Sequence, residues 1–474
     1  MKSVNVDFGA EKIQIDIPDS AVVAEFQDPP IHPDPVALIE NALNAPHGAP
    51  ALQSLVKPGM KVAIGHDDPT KPPPPWQQIL GILVDKLLKW GIAEEDIVFI
   101  SANGNHKKWT DDELRNFLGK DLFDKFHPSG QVTNHDCLDP DGLMDLGQTP
   151  GGAVVDHNRR FLEADLMLYV GQVVAHSWGG YTGTGAAIGL ASTRSIASHH
   201  NHRVVNHPKT TTGDHRAMYF RQLKAEINAH IEHQTGKRIF YINWIGGTGG
   251  TINNVFAGYS PEVEEPAWGA ADAFSIVDVP QADVLVLGLP AAFAYGSANN
   301  PLIAAIGMGY PPRVWLGDHV LREGGVIIGL NPSDGDYDKA TYASTGEVMA
   351  LFDRVSDIAE LSKFQASIAT NEDYLEQYRS AHAYHPVHPF WLMYSCDYML
   401  TRASKVILAG TEAPGLFRRL GITPARDFAH AWEHATRVVG PDPVTVVAPT
   451  YWSRRPFKFR VSEQSAGAAA QQPV

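Results

Sequence analysis

Short, uninterrupted apolar runs alternate with amphipathic stretches along most of this chain, and that alternation limits the fold more than any other feature. Residues 61–65 (KVAIG) form one such run, 76–90 (WQQILGILVDKLLKW) follow with apolar residues at helical spacing, and 96–102 (DIVFISA) form the next run. A short run without polar alternation has to be buried on both faces, which a parallel sheet covered by helices provides. The pattern recurs at 166–174 (LMLYVGQVV) and, after a helical stretch over 214–233, at 238–245 (RIFYINWI). It returns at 282–290 (ADVLVLGLP), 324–331, 405–410 and 444–449. The expected fold class is α/β with mostly parallel sheets. Thr110 and Glu113 have capping-box spacing and predict a helix over 110–118.

A chain of 474 residues exceeds one ordinary core. At 260–270 (SPEVEEPAWGA) the composition turns acidic and proline-rich, and a boundary is placed there. The expected organisation is an N-terminal α/β domain over 1–265 that carries catalysis and cofactor binding, a second α/β domain over 266–440, and a C-terminal segment over 441–474. A cleft between the domains would hold the ligand, and 465–474, small and polar, are expected to fray. Lys and Arg number 38 against 53 Asp and Glu, a net charge of −15 that disfavours nucleic acid and anionic membrane surfaces as partners. No signal-peptide run and no apolar stretch of membrane-spanning length occur, so a cytoplasmic enzyme is expected. Cys137 and Cys396 form no CxxC pair, which excludes a thiolate zinc site and a disulfide framework. Histidine, at 21 residues, is abundant.

In an open parallel sheet, ligands sit beyond the carboxyl ends of the strands. Three polar segments follow strand patterns: His66-Asp67-Asp68-Pro69-Thr70-Lys71-Pro72, Asn103-Gly104-Asn105-His106-Lys107-Lys108, and 176–185 (HSWGGYTGTG). His106 and His176 would then converge above one crevice, where two imidazoles suit proton transfer; taken singly, each is also read as a surface or structural histidine. The glycines of 179–185 let backbone N–H groups approach an anion, but 246–250 (GGTGG) is as glycine-rich, and an ordinary tight connection is the competing reading. His199, His200, His202, His207 and His215 have no carboxylate or cysteine at metal-site spacing; most are expected to face solvent, with one available to a metal. His382, His385 and His388 are interrupted by Pro386 and Pro389 and read as loop residues.

These segments, in order, resemble the nickel-dependent lactate racemase (LarA) family of 2-hydroxy-acid racemases and epimerases. Residues 67–72 resemble its Asp-His-Thr-Arg-Pro loop, Gly104-Asn105-His106-Lys107 its Gly-Phe-His-Arg segment, and 146–152 its Gly-Gln-Leu-Pro-Ser-Gly-Gly turn. Residues 176–183 follow its His-x-x-x-Gly-Tyr/Phe-Ser-Gly pattern, 189–200 parallel the stretch ending in its metal-binding histidine, and Asn206-His207-Pro208-Lys209 with Gly213 parallels Asn-Ser-Pro-Lys-x-x-x-Gly. The resemblance implies a nickel pincer nucleotide, a pyridinium bis-thiocarboxylate mononucleotide that binds nickel through two sulfurs and a ring carbon. It also implies cofactor-synthesis proteins as partners. His106 and His176 become the paired acid/base residues, His200 the nickel ligand, and Asp68, Thr70, Gly179, Gly180, Gly183, Thr184 and Gly185 cofactor contacts. Lys71 stands where the family has an arginine and is assigned to a substrate carboxylate or a cofactor phosphate; Trp391 is assigned to the substrate, with a core aromatic as the competing reading. In the implied reaction one histidine takes the hydroxyl proton as hydride leaves the α-carbon. The resulting 2-keto acid rotates, and it is reduced and protonated on its other face.

Two positions depart from the family. Its type member bonds the cofactor covalently through a lysine, and Ala186 matches that position, which implies a noncovalent cofactor. A second lysine is replaced by Gly307 or Met308, which puts lactate itself in doubt and allows a bulkier or differently charged substrate. Two alternatives remain: a cofactor- or nucleotide-binding homologue without racemase activity, and a dehydratase or lyase acting on a hydroxy acid.

Overall fold

A computed structural model describes residues 1–71, 74–211 and 216–462. Pro72, Gly213, His215 and the tail over 465–474 lie outside the described residues. The apolar runs of the first half become a sheet ordered Asn254–Tyr259, Ile239–Ile245, Leu166–Gln172, Val62–Asp67, Ile97–Ala102, Val132–Asn134. Every pairing is parallel except that of Asn254–Tyr259 with Ile239–Ile245. Leu166–Gln172 and Ile239–Ile245 are buried at every residue, as continuous apolar runs require. Helix Pro74–Lys89 covers one face, sending Trp76, Ile79, Leu80, Leu83, Val84 and Leu87 against Phe99, Val170 and Trp244. On the other face, Ile227 and Ile231 of helix Tyr219–Thr235 pack with Tyr169 and Tyr241. The Thr110 box forms at the start of helix Asp111–Leu118, with Thr110 N–H donating to Glu113 Oε2 at 2.9 Å.

The second sheet departs from a division by sequence position. Leu321–Leu330 lies between Ala282–Pro290 and Lys405–Ala409, and Thr423–Ala425 forms one edge. Across Ala282–Pro290 lie Thr445–Ala448 and, at the far end, Lys2–Gly9, which carries Glu11–Ile17 as a hairpin partner. The chain's first strands and a strand of the 441–474 segment therefore complete the sheet of the second half. A lone hairpin cannot bury its apolar face, and Val6, Ile15 and Ile17 do so against Val284, Val286, Val326, Ile328 and Val447. The acidic stretch at 260–270 is no open linker either. Helix Glu264–Ser275 begins within it and buries Ala267, Trp268 and Ala271 in a cluster that also holds Trp178, Leu302, Trp391 and Tyr451. Among the described residues no helix is long and apolar enough to cross a membrane.

Candidate active site

Two loops and a short helix bring three imidazoles to the carboxyl end of the first sheet. His106 follows strand Ile97–Ala102 in a tight turn, its N–H donating to Asn103 O at 2.8 Å. His176 follows Leu166–Gln172 and pairs, as Ala175–His176, with Gly180–Tyr181. His200 ends helix Thr193–His199. All three line a cavity of about 240 Å³, closed from the second half by Tyr295, Tyr310, His388, Trp391 and Trp452. An adjoining hollow shares the three histidines, Thr70 and Lys71, and adds Gly179, Gly183, Gly185, Arg221 and Lys224.

His106 is oriented by a buried carboxylate. Its Nδ1 donates to Asp68 Oδ2 at 2.6 Å, and Asp68 Oδ1 accepts from Thr70 Oγ1 at 2.5 Å. Burial works to raise the Asp68 pKa, but the facing imidazole, the Thr70 hydroxyl and the Lys71 charge outweigh it and hold the carboxyl below its usual range. An ionised Asp68 holds the proton on Nδ1 and leaves the lone pair on Nε2, the form a general base needs. Asp68, expected at the cofactor, thus bonds His106, and Thr70 bonds Asp68, while both line the adjoining hollow. Asp68→Asn should lower kcat on the order of 10²-fold or more with little change in KM, because an amide hydrogen aimed at Nδ1 moves the ring proton to Nε2. Steady-state kinetics across pH checks this, and wild-type kcat in the variant would exclude the orienting role.

His176 sits in a different field. Burial, with Lys71, Lys224, Arg221 and Arg313 nearby, pushes its pKa down to about 3, so the ring is neutral. Its Nδ1 accepts from Trp178 N–H at 3.3 Å, and its ring meets Trp178 and Tyr310 edge-on. The cations that depress it mark the cavity as a place for anions. His200 is enclosed by Trp178, Phe220 and Trp391, with ring centroids 4.6, 5.3 and 5.0 Å away. Its Nδ1 lies 2.6 Å from His199 Nδ1, which leaves Nε2 as the ring nitrogen outside that bond.

Several residues fall elsewhere than expected. Gly180 lines neither hollow; at φ 75° it closes the hairpin beneath His176, a conformation that suits glycine. Thr184 also lines neither, because its hydroxyl donates to buried Glu264 at 2.5 Å. Ala186 is fully buried among Tyr169, Leu190 and Ile227, outside the lining of both hollows. Trp391 does line the cavity, from helix His388–Arg402. Gly307 and Met308 are buried in helix Pro301–Gly309, and their neighbours Ile306 and Tyr310 face the cavity instead. His199, expected in solvent, is 1% exposed, since the helix it ends packs its inner side on Phe220.

Three cavity residues were not legible as such. His388 opens a helix because Pro389 occupies its first turn, where proline starts a helix and does not break it; this was the available signal. Its ring stacks on Tyr384 at 4.4 Å and stands edge-on to His106 at 5.4 Å. Arg221 and Lys224 lie on the buried side of a helix that reads as amphipathic, and nothing local marks them.

The lactate racemase N-terminal domain matches residues 8–213 of the chain. The chain is similar to lactate racemases beyond that domain as well. It is 24% identical over 340 residues to the lactate racemase of Thermoanaerobacterium thermosaccharolyticum, covering 69% of this chain and 74% of that relative. It is 26% identical over 224 residues to the lactate racemase of Lactiplantibacillus plantarum, covering 46% and 50%. The structure of the T. thermosaccharolyticum lactate racemase apoprotein superposes with a TM-score of 0.71 at 19% identity, over 96% of this chain and 100% of that one. A Thermotoga maritima protein superposes with a TM-score of 0.57 at 15% identity, over 92% and 99%. At these identities the structural likeness establishes the family fold; the mixed α/β architecture with mostly parallel sheets is shared.

Proposed function

We propose that this protein is a racemase or epimerase of a 2-hydroxy acid that works with a nickel pincer nucleotide. The observation that carries the reading is the gathering of His106, His176, His200 and Lys71, from four separate segments, around one cavity. The racemase activity of the named relatives supports the reaction class. The donor set fits the cofactor. Among the described residues no group of three or more His, Cys, Asp or Glu is placed to hold a metal. The cysteines cannot serve: both are buried, and burial pushes the Cys137 thiol up to about 11. A metal at His200 Nε2 would take its other ligands from outside the protein, and the two sulfurs and ring carbon of such a cofactor would provide them.

When bound, that group supplies a two-electron acceptor for the α-hydrogen. Lys71 holds the substrate carboxylate as a point charge. His106 Nε2 takes the hydroxyl proton, and Asp68 stabilises the imidazolium that forms. His176 serves the opposite face; a carboxylate beside Lys71 offsets one of the cations that hold its pKa down. Trp178, Tyr310, Trp391 and Trp452 exclude water, which protects the reaction from exchange with solvent. With Ala186 in place of the family's lysine, we propose that the cofactor is held without a covalent bond.

The test uses protein produced with the cofactor-synthesis proteins, incubated in deuterated water with single enantiomers of 2-hydroxy acids, sugar acids included. Inversion with little deuterium at the α-carbon is expected, with no cofactor adduct in the intact mass. An alkene product would favour a lyase, and no turnover by nickel-loaded protein would favour a binding homologue.

A further inference from the structure

Lys224 carries a buried amine that makes no hydrogen bond among the described residues. It is 8% exposed, on the inner side of helix Tyr219–Thr235, and lines the glycine-walled hollow beside the three histidines. Arg221, Asp67 and Asn228, in contrast, have partners; the buried Gln172 amide and Asn243 Oδ1 have none among the described residues. Arg221 donates to Gly179 O at 3.0 and 3.1 Å and to Tyr181 O, with Glu264 3.5 Å away. Asp67 accepts from Tyr169 Oη at 2.7 Å and from Gln172 N–H at 3.1 Å. Asn228, one turn further along the same helix, accepts from the Tyr241 hydroxyl at 2.5 Å. A buried ammonium without a partner is costly; it either gives up its proton or takes an anion as partner.

We propose that Lys224, supported by Arg221, is the anchor of a phosphomonoester subsite in this hollow. The wall is right for a compact, doubly charged group. Gly179, Gly183 and Gly185 present backbone without side chains, and Lys71 stands at the junction with the histidine-lined cavity. Two separate anion positions result: a carboxylate at Lys71 within reach of the imidazoles, and a phosphate at Lys224. The identity of the ligand as a pyridinium mononucleotide rests on the proposed function, whereas the phosphate position rests on the hollow alone. The groups facing the amine are Arg221 on its own helix, Glu264 on helix Glu264–Ser275, Asp67 on the sheet, and Lys71, His106, His176 and His200 across the hollow. Burial and the Arg221 charge lower the Lys224 pKa to about 7, against the opposing pull of Glu264 and Asp67. At pH 8 the amine is therefore mostly neutral, and a phosphate that binds there draws a proton onto it.

The experiment is calorimetric titration of the full chain, produced without nickel or cofactor, at pH 8 in two buffers of different ionisation enthalpy. The probes are inorganic phosphate, nicotinic acid mononucleotide, and the phosphate-free nicotinic acid riboside. The mononucleotide should bind with proton uptake and the riboside about tenfold or more weaker, as expected for loss of a charge-assisted contact. Lys224→Met should weaken the mononucleotide and phosphate by a similar factor and abolish the uptake. Lys224→Arg should restore affinity without the uptake, which separates an anion contact from a merely structural role and from misfolding. Equal affinity for riboside and mononucleotide, or undiminished binding by Lys224→Met, would overturn the proposal. So would a covalent adduct of the mononucleotide at Lys224 in the intact mass. Because no turnover is measured, failure of the racemase reading leaves the result interpretable.

Discussion

Alanine at His106 or at His176 should each lower racemisation by about 10²–10⁴-fold, the usual contribution of a positioned acid or base. Inversion needs proton transfer at both faces of the substrate, so one remaining histidine cannot sustain a full cycle. The double variant should therefore fall little below either single one. Both rings line the cavity. His106 meets Tyr384 and His388 edge-on at the cavity wall, and His176 belongs to a two-residue hairpin. Nickel content and thermal unfolding should stay near wild type, which distinguishes lost chemistry from lost structure. The measurement is chiral chromatography of product from each enantiomer. Activity within tenfold of wild type in either variant would remove that residue from the mechanism.

His200→Ala should behave in the opposite way. Near-stoichiometric nickel is expected in the wild-type protein loaded with cofactor, and loss of most of it in the variant, read by elemental analysis. Truncating a ring packed among Trp178, Phe220 and Trp391 leaves a cavity and should cost about 1–3 kcal/mol of stability. A circular dichroism melt shows whether the fold survives that cost. Retention of full nickel by a folded His200→Ala protein would mean that the metal ligand lies elsewhere. The pair of outcomes, chemistry lost with metal kept and metal lost with fold kept, tests the division of labour among the three imidazoles.

The strand-end rule is what made those imidazoles legible. KVAIG, DIVFISA and LMLYVGQVV became Val62–Asp67, Ile97–Ala102 and Leu166–Gln172, and His106 and His176 lie just past two of them. Asp68 was legible as a strand-end residue but not as the partner of His106, because that bond joins loops from two adjacent strands and depends on their register. Proline at 389 pointed to a helix start as easily as to a break, and only packing against Tyr384 and His106 shows which. Lys224 carried no signal at all, since a lysine on an amphipathic helix ordinarily faces solvent and its burial depends on where the helix docks.

The residue order alone settles the layered α/β architecture and the strand-loop-helix punctuation. Continuous apolar runs must be covered on both faces, and caps and glycines act over a few residues whatever the rest of the chain does. Three matters waited on the folded chain: that residues 2–17 complete the sheet of the second half, that Tyr295, Tyr310, His388 and Trp391 close the cavity over the three histidines, and that Lys224 enters the hollow beside them. Each is a contact between segments distant in sequence. Such contacts are chosen by which apolar faces can be buried against each other, a property of the whole assembly of layers that no local stretch of residues carries.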